Sequence, residues 1–277
     1  MRGLAGKTAI VTGAVGAIGG AVALRLAEEG CRVVVVDLDG DEAARVAAGL
    51  PGEAIGVGAD VSREADVLRY QSAAVDAFGR LDLFHLNAGI AGNAARFTDG
   101  DAEDFDRVIA VDLRGAYLGA LHALKALRAQ GDGGAVVLTS SVAGIIGGES
   151  VGPYVAAKHG VAGIVQTAAV DGGQFGVRVN GIAPGMTITP MTEHSVSRTR
   201  NGERAKEVMM VTVPLGRAAS VHETAAVVAF LLSDDASYVN GVMIPVDGGT
   251  LADHARSWIA GQAARAGIIV GLEPAGP

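Results

Sequence analysis

Short apolar runs rich in β-branched residues alternate along this chain with longer segments in which apolar residues recur every three or four positions. The first pattern is typical of buried strands and the second of amphipathic helices. The run VVVV at 33–36 is apolar on both faces, so a strand there needs helices on both sides of its sheet. We therefore predict an α/β fold with a doubly wound, seven-stranded, mostly parallel sheet in a single domain.

The alternation also predicts where the elements lie and where it stops. The predicted strands are Thr8–Thr12, Arg32–Asp37, Ala54–Val57, Leu81–Asn87, Ala135–Ser140, Val177–Ile182 and Val242–Val246. The predicted helices are Ile18–Glu29, Asp41–Ala48, Arg63–Phe78, Ala102–Arg128, Tyr154–Gln174 and Val221–Leu232. Residues 185–213 and the tail after Gly249 lack the alternation. We predict a catalytic domain over 1–249, with a substrate lid at about 186–213, and an extension over 250–277 with a helix at Leu251–Ala266.

Composition and charge exclude several other classes of protein. Of the 277 residues, 41 are glycine and only 4% are aromatic, which disfavours a β-sandwich and suits tight strand-to-helix turns. The net charge of −8, with no concentration of Lys and Arg, removes the electrostatic basis for nucleic-acid binding. No apolar run approaches the roughly 20 residues that span a bilayer, and Cys31 has no partner for an internal disulfide. We expect a cytoplasmic protein with a small-molecule partner, no nucleic acid, no membrane and no metal.

A glycine-rich turn, TGAVGAIG at 12–19, joins the first predicted strand to the first predicted helix. Glycines let the backbone turn sharply and approach a pyrophosphate, and the start of the helix offers unpaired N–H groups. Glycine also serves ordinary tight loops, but between a strand and a helix this pattern favours dinucleotide binding. The predicted contacts are Gly13, Val15, Gly16, Ile18 and Gly19.

Asp37 ends the second predicted strand, eighteen residues after Gly19. A carboxylate at this distance can accept hydrogen bonds from both hydroxyls of the adenosine ribose, and it would repel a 2′-phosphate. No Lys or Arg follows it directly or stands in the glycine-rich turn, so NAD is favoured over NADP. The alternative is that Asp37 caps the following helix, a role for which Asp39 and Asp41 also compete.

Tyr154 and Lys158 lie four residues apart on a predicted helix and therefore share one face. An ammonium beside a phenol favours the phenolate. Ser141, at the end of the fifth predicted strand, supplies a hydroxyl that can hold a substrate oxygen. Together the three side chains can move a proton while a hydride moves to or from a nicotinamide.

The chain resembles the short-chain dehydrogenase/reductase family over roughly residues 6 to 249, both in its motifs and in their order. The motifs that carry the resemblance are TGAVGAIG at 12–19, DV at 60–61, NAG at 87–89, TSS at 139–141, YVAAK at 154–158, RVNGIAPG at 178–185 and VDGG at 246–249. The resemblance implies a Rossmann fold with Tyr154 as the acid/base, Lys158 as its partner and a ribose ligand, and Ser141 as the ligand of the substrate oxygen.

The resemblance also implies further cofactor contacts and an assembly. Asp60 and Val61 would lie around the adenine, and Asn87, Ala88 and Gly89 along the cofactor. The nicotinamide pocket would be formed by Pro184, Gly185, Thr187 and Thr189. The family further implies a homotetramer, with a homodimer as the alternative, built through the two long helices predicted at Ala102–Arg128 and Tyr154–Gln174.

The chain departs from the family pattern at two places. Ala17 stands where most single-domain members have glycine, and the spacing of Gly13, Gly16 and Gly19 is more like that of nucleotide-sugar epimerases. Asp112 stands where the family commonly has an Asn that helps hold a water near the lysine. Because an ionised Asp cannot donate a hydrogen bond and adds a negative charge near Lys158, we predict a working proton relay with a shifted pH–rate profile. The alternative is a solvated Asp112 paired with Arg107 or Arg114.

The region expected to bind substrate is apolar. MTITPMTEHSVSRTR at 186–200, followed by Met209 and Met210, falls where the family has its substrate lid, although the two Met residues could equally be the core of a short helix. Ile90, Ala91, Ile145 and Ile146 are predicted to add apolar wall, and no cluster of Lys or Arg could clamp a phosphate. We predict an NAD-dependent oxidoreductase that interconverts an uncharged, cyclic secondary alcohol and a ketone. The alternatives are a 3-oxoacyl-thioester reductase, an epimerase-like enzyme and an NAD-sensing protein without catalysis.

Overall fold

The computed structural model describes residues 1–189 and 213–253, and within them one parallel sheet forms the centre of the molecule. Its order is β3-β2-β1-β4-β5-β6-β7, and every pair of neighbours is parallel. The predicted doubly wound sheet is confirmed. The strands are β1 Thr8–Thr12, β2 Arg32–Asp37, β3 Ala54–Gly58, β4 Leu83–Leu86, β5 Gly134–Thr139, β6 Val177–Pro184 and β7 Met243–Val246.

Helices cover both faces of this sheet. They are α1 Ala17–Glu28, α2 Gly40–Ala48, α3 Glu64–Phe78, α4 Ala102–Val108, α5 Gly115–Gln130, α6 Gly152–Gly173 and α7 Val221–Leu232. The single helix predicted over Ala102–Arg128 is wrong in one respect, because a π-helical segment, Ile109–Arg114, separates α4 from α5. Such wide turns often occur at functional sites, and this one contains Asp112.

The apolar strand β2 shows how the core is divided. Val33 and Val35 belong to a cluster packed with α1 and α7, whereas Val34 and Val36 belong to a cluster packed with α3, α5 and α6. All four side chains are fully buried. The run VVVV therefore needs cover on both faces, as its composition predicted.

The strand order reverses direction between β1 and β4, which lie side by side although two strands separate them in sequence. Chains after β1 and after β4 leave toward opposite faces of the sheet, and this opens a crevice at the carboxyl ends of the strands. The predicted lid falls mostly, and the C-terminal extension almost wholly, outside the described residues, so the domain boundaries stay a prediction. No helix in the described ranges is both long and apolar enough to cross a bilayer.

Candidate active site

A cavity of about 790 Å³ occupies this crevice. It extends from the turn after β1 and the end of β2, past the loop after β4, to the end of β5, the start of α6 and the end of β6. It brings together nearly all of the residues predicted from the sequence. Its lining includes Gly13, Val15, Gly16, Ile18, Asp37, Asp60, Val61, Asn87, Ala88, Gly89, Ser141, Tyr154, Lys158, Pro184, Gly185, Thr187 and Thr189.

The glycine-rich turn brings bare backbone to the cavity. Gly13 has a φ of +65°, and a Cβ there would lie 2.8 Å from the Cα of Ala88, so a larger residue fits neither the conformation nor the space. Gly16 precedes α1, and no side chain caps the N–H groups at the start of that helix. Gly19 does not line the cavity; a Cβ there would run into the carbonyl oxygen of Gly13, so this glycine lets α1 pack against the turn.

Asp37 holds the turn through its carboxylate. Oδ2 accepts a hydrogen bond of 2.9 Å from the N–H of Val15, and Oδ1 accepts one of 2.8 Å from the N–H of Leu38. The alternative that Asp37 caps α2 is wrong, because Asp39 accepts the hydrogen bonds from the first turn of that helix. Among the residues that line the described cavity, Lys158 is the only Lys or Arg, and it belongs to the end formed by β5 and α6.

Two other predicted cofactor residues also brace the loops on which they lie. Asn87 donates two hydrogen bonds to Thr12. Its Nδ2 donates to the carbonyl oxygen at 3.2 Å, and its backbone N–H donates to Oγ1 at 2.9 Å. Asp60 accepts hydrogen bonds from the N–H and the hydroxyl of Ser62, at 2.9 and 2.7 Å. The contacts of Asn87 hold the loop after β4 against the end of β1, and those of Asp60 shape the loop between β3 and α3.

The three predicted catalytic side chains lie at the other end of the cavity. Ser141 follows β5, and its Oγ accepts a hydrogen bond of 3.2 Å from the N–H of Ala143. Tyr154 is in the first turn of α6 and Lys158 is in the next turn, with its Nζ 5.4 Å from the centre of the Tyr154 ring. The serine hydroxyl, the phenol and the ammonium thus border one space.

Lys158 is buried and has an acidic partner. Its Nζ lies 3.0 Å from Oδ2 of Asp112 and donates to the carbonyl oxygen of Thr139 at 3.3 Å. Burial opposes the charged form, but Asp112 and Tyr154 outweigh it, and the pKa of Lys158 is raised above its ordinary value. Asp112 is 1% exposed and borders a separate cavity of about 10 Å³. A solvated Asp112 paired with an arginine is therefore wrong: Arg107 pairs with Asp104, and Arg114 binds the carbonyl oxygen of Ser62.

Comparison with known proteins identifies the family to which this chain belongs. A family model described as enoyl-(acyl carrier protein) reductase matches residues 13–250. Levodione reductase of Leifsonia aquatica is 43% identical over 253 residues, which cover 89% of this chain and 94% of the relative. A crystal structure of levodione reductase matches with a TM-score of 0.84 and 41% identity, covering 90% of this chain and 99% of that one. This chain belongs to the short-chain dehydrogenase/reductase family.

This dehydrogenase/reductase is also similar to the cyclohexanol dehydrogenase of an Acinetobacter species (strain SE19). The two are 38% identical over 245 residues, which cover 87% of this chain and 94% of the relative. The resemblance seen in the sequence motifs is confirmed, and the chain is an oxidoreductase of this family.

Sequence reasoning missed residues that support the reactive groups of this dehydrogenase/reductase. Ser140 is buried and donates its hydroxyl proton to the carbonyl oxygen of Lys158 at 2.8 Å, which ties α6 to the end of β5. A Cβ at Gly144 would lie 2.6 Å from the same carbonyl oxygen, so only glycine permits this packing. The doubled serine in TSS and the glycine three residues later were the available signals.

A buried histidine lies behind the same strand end. His85 of β4 is fully buried, with its Nε2 2.9 Å from Oγ1 of Thr139. Burial lowers the pKa of His85 to about 3, so the ring stays neutral in ordinary buffers. Residue spacing does not indicate this contact, because His85 and Thr139 belong to neighbouring strands far apart in the chain.

The predicted apolar wall is present only in part. Ile90 and Ala91 line the cavity, whereas Ile145 and Ile146 do not, and Val151 and Ala143 take part instead. Thr187 donates its hydroxyl proton to the carbonyl oxygen of Gly185 at 3.2 Å. Met209, Met210 and the rest of the lid from residue 190 to 212 lie outside the described residues.

Proposed function

We propose that this chain is an NAD-dependent dehydrogenase/reductase that interconverts an alicyclic secondary alcohol and the corresponding ketone. The observation that carries the proposal is that Ser141, Tyr154 and Lys158 share one cavity with the glycine-rich turn and Asp37. The names of the relatives, levodione reductase and cyclohexanol dehydrogenase, support a cyclic substrate.

The residues at the β1 and β2 end fit NAD. The uncapped start of α1 suits a pyrophosphate because no capping side chain occupies its N–H groups, and the positive φ of Gly13 turns the backbone sharply beside it. Asp37 would accept hydrogen bonds from the ribose hydroxyls, and its charge would oppose a 2′-phosphate, since Lys158 is remote from it and paired with Asp112. Asp60 and Val61 would lie at the adenine, and Pro184, Gly185, Thr187 and Thr189 at the nicotinamide.

The protein side chains move the proton. A bound nicotinamide cofactor would supply the hydride chemistry, as acceptor from the alcohol or donor to the ketone. Ser141 would hold the substrate oxygen through its hydroxyl. Tyr154 takes the hydroxyl proton of the alcohol on its phenolate oxygen in oxidation and returns it to the carbonyl oxygen in reduction. The Lys158 ammonium stabilises the phenolate that this exchange requires.

The described substrate wall favours an uncharged ring. Ile90, Ala91 and Val151 present apolar surface, and Lys158, the one cation among the described lining residues, is already paired with Asp112. A thioester carried on a phosphate-bearing arm would gain no cationic partner from this part of the wall.

Steady-state assays test the proposal directly. We expect saturable oxidation of cyclohexanol and related cyclic alcohols, followed by the absorbance of NADH, with kcat/KM for NAD well above that for NADP. Reduction of 3-oxoacyl thioesters by NADPH without oxidation of cyclic alcohols would favour the thioester reductase. Epimerisation of a nucleotide sugar would favour the epimerase, and NAD binding without any turnover would favour the sensor.

The proposal extends to assembly and compartment. Tyr117 on α5 and Val170 on α6 expose apolar surface, which supports a homotetramer built through these helices, with a homodimer as the alternative. The buried lone thiol of Cys31 suits the reducing cytoplasm that we propose as its compartment. Light scattering of the wild type and of Val170→Asp tests the interface: we expect the variant to have the smaller mass.

A further inference from the structure

The ion pair between Asp112 and Lys158 is closed off from solvent. The lysine side chain is 4% exposed and that of the aspartate is fully buried, with 3.0 Å between Nζ and Oδ2. Lys158 borders the large cavity, whereas Asp112 does not. The carboxylate therefore acts on the reaction only through the groups that it holds.

The carboxylate of Asp112 faces two donors. Oδ2 faces the ammonium of Lys158, and Oδ1 accepts a hydrogen bond of 2.7 Å from the N–H of Ile90. Only a carboxylate offers acceptors at both positions, because an asparagine in the same place would turn its NH₂ group toward one of the donors. One side chain thus fixes the amine beside Tyr154 and the backbone of a residue in the substrate wall.

Gly89 makes this arrangement possible. A Cβ at this position would lie 2.8 Å from Oδ2 of Asp112 and 3.0 Å from Nζ of Lys158. The ion pair is therefore packed directly against the backbone of the loop after β4. A neighbouring acid holds the same loop from α4: Asp104 Oδ2 accepts a hydrogen bond of 2.9 Å from the N–H of Asn93, and Asp104 pairs with Arg107 rather than with Lys158.

Few charged or titratable groups face the ammonium of Lys158 in the described structure. Asp112 faces it from the π-helical segment and Tyr154 from α6. From β4, His85 reaches only the side chain of Thr139 and is neutral because of its burial. From β5 only the carbonyl oxygen of Thr139 contributes. With Asp112 ionised, the lysine is charge-balanced before Tyr154 loses its proton.

We propose that Asp112 is a positioning residue that balances the charge of Lys158 and thereby sets the pH range in which Tyr154 accepts the substrate proton. Removing its charge leaves the ammonium with the phenolate as its sole anionic partner. The phenolate then forms at lower pH.

The first test compares the pH profiles of Asp112→Asn and Asp104→Asn with that of the wild type. This test rests on the proposed function, the oxidation of a cyclic alcohol. We expect the pH of half-maximal kcat to fall by about one unit or more in Asp112→Asn. In Asp104→Asn, which also loosens the loop after β4 but leaves Lys158 paired, KM should rise with the pH midpoint unchanged. An unchanged midpoint in Asp112→Asn, or an equal shift in both variants, would overturn the proposal.

The second test needs no turnover, so it separates failure of this inference from failure of the proposed function. Urea unfolding of the cofactor-free protein is compared for Asp112→Asn, Lys158→Met and the double variant. Removing one partner leaves a buried group unpaired, whereas removing both does not, so the double variant should have a higher midpoint than the sum of the single losses predicts. If Asp112→Asn does not fold, a folded double variant supports the ion pair. Additive losses, or a double variant that also fails to fold, would contradict it.

Discussion

At the end of the cavity formed by β1 and β2, the glycine-rich turn presents backbone beside one carboxylate, whereas at the end formed by β5 and α6 a hydroxyl, a phenol and an ammonium line the cavity. Asp37 belongs to the first end and is bound by two N–H groups, from Val15 and Leu38. Asp112 belongs to the second and is bound by an ammonium and an N–H group. We propose that the first end selects a ligand by shape and by one negative charge, and that the second end performs chemistry that depends on protonation.

We expect the largest loss of rate when a single oxygen atom is removed at the β5 and α6 end. Tyr154→Phe removes the group that we propose exchanges the proton, so kcat should fall by about 10²-fold or more. NAD affinity, measured by fluorescence titration, should change little. Tyr238→Phe, which removes the hydroxyl of a fully exposed tyrosine, is the matched control and should keep its kcat. A Tyr154→Phe enzyme with near wild-type kcat would refute the acid/base assignment.

At the opposite end, Asp37→Ala should alter the choice of cofactor more than the rate of chemistry. Loss of the carboxylate removes both the ribose acceptor and the repulsion of a 2′-phosphate. The ratio of kcat/KM for NADP to that for NAD should rise by about 10²-fold, as like-charge contacts cost several kcal/mol. Asp39→Ala removes the cap of α2 instead, and should lower the unfolding temperature without changing this ratio. Equal ratios in wild type and Asp37→Ala would contradict the proposed preference.

A smaller effect, on stability, is expected at the β1 and β2 end, where α1 packs closely against the glycine-rich turn. In Gly19→Ala the new methyl group would meet the carbonyl oxygen of Gly13, and we expect a loss of about 1–3 kcal/mol in unfolding free energy. Gly20→Ala is a graded control, because its Cβ would lie 3.2 Å from the carbonyl oxygen of Ala14. Denaturant unfolding measures both. Equal stabilities for the two variants would show that this contact does not limit the packing of α1.

The smallest effect concerns acid stability at the second end. The pKa of His85 is lowered from 6.5 to about 3 in the folded protein, so the unfolded chain binds the extra proton more readily. Above pH 6.5 the ring is neutral in both states; below it the unfolded chain takes up the proton and the folded protein does not, so the unfolding free energy falls by about 1 kcal/mol between pH 6.5 and pH 5.5. His85→Gln should therefore lose less stability between these pH values than the wild type. Parallel curves of unfolding free energy against pH would show that His85 does not titrate in this way.

The sequence predicted the first end of the cavity better than the second. The turn at 12–19 and Asp37 are local in the chain, so spacing alone brings them together. All seven strands were predicted to within a few residues, because buried parallel strands are apolar along their whole length. The shortfall at β6, which continues to Pro184, arose because its Pro and Gly neighbours resemble a loop.

At the second end, contacts between distant segments decide the outcome. The ion pair of Asp112 and Lys158 joins a π-helical segment to α6, and neither the wide turn nor the burial of both charges is visible in residue spacing. The support that Ser140 gives to Lys158 likewise depends on the packing of β5 against α6. The unexpected residue type at position 112 was the local clue to the ion pair, and the doubled serine in TSS was the local clue to Ser140.

The close approach of Gly89 to the ion pair also limits how this protein can evolve. The backbone of Gly89 packs against the carboxylate of Asp112 and the amine of Lys158. A side chain at position 89 is therefore tolerated only after one of the other two side chains has moved or become smaller. Asparagine at position 112 would keep the volume of the side chain and one acceptor oxygen, so the constraint falls on position 89 and not on the choice between Asp and Asn. A change at position 89 is therefore coupled to positions 112 and 158.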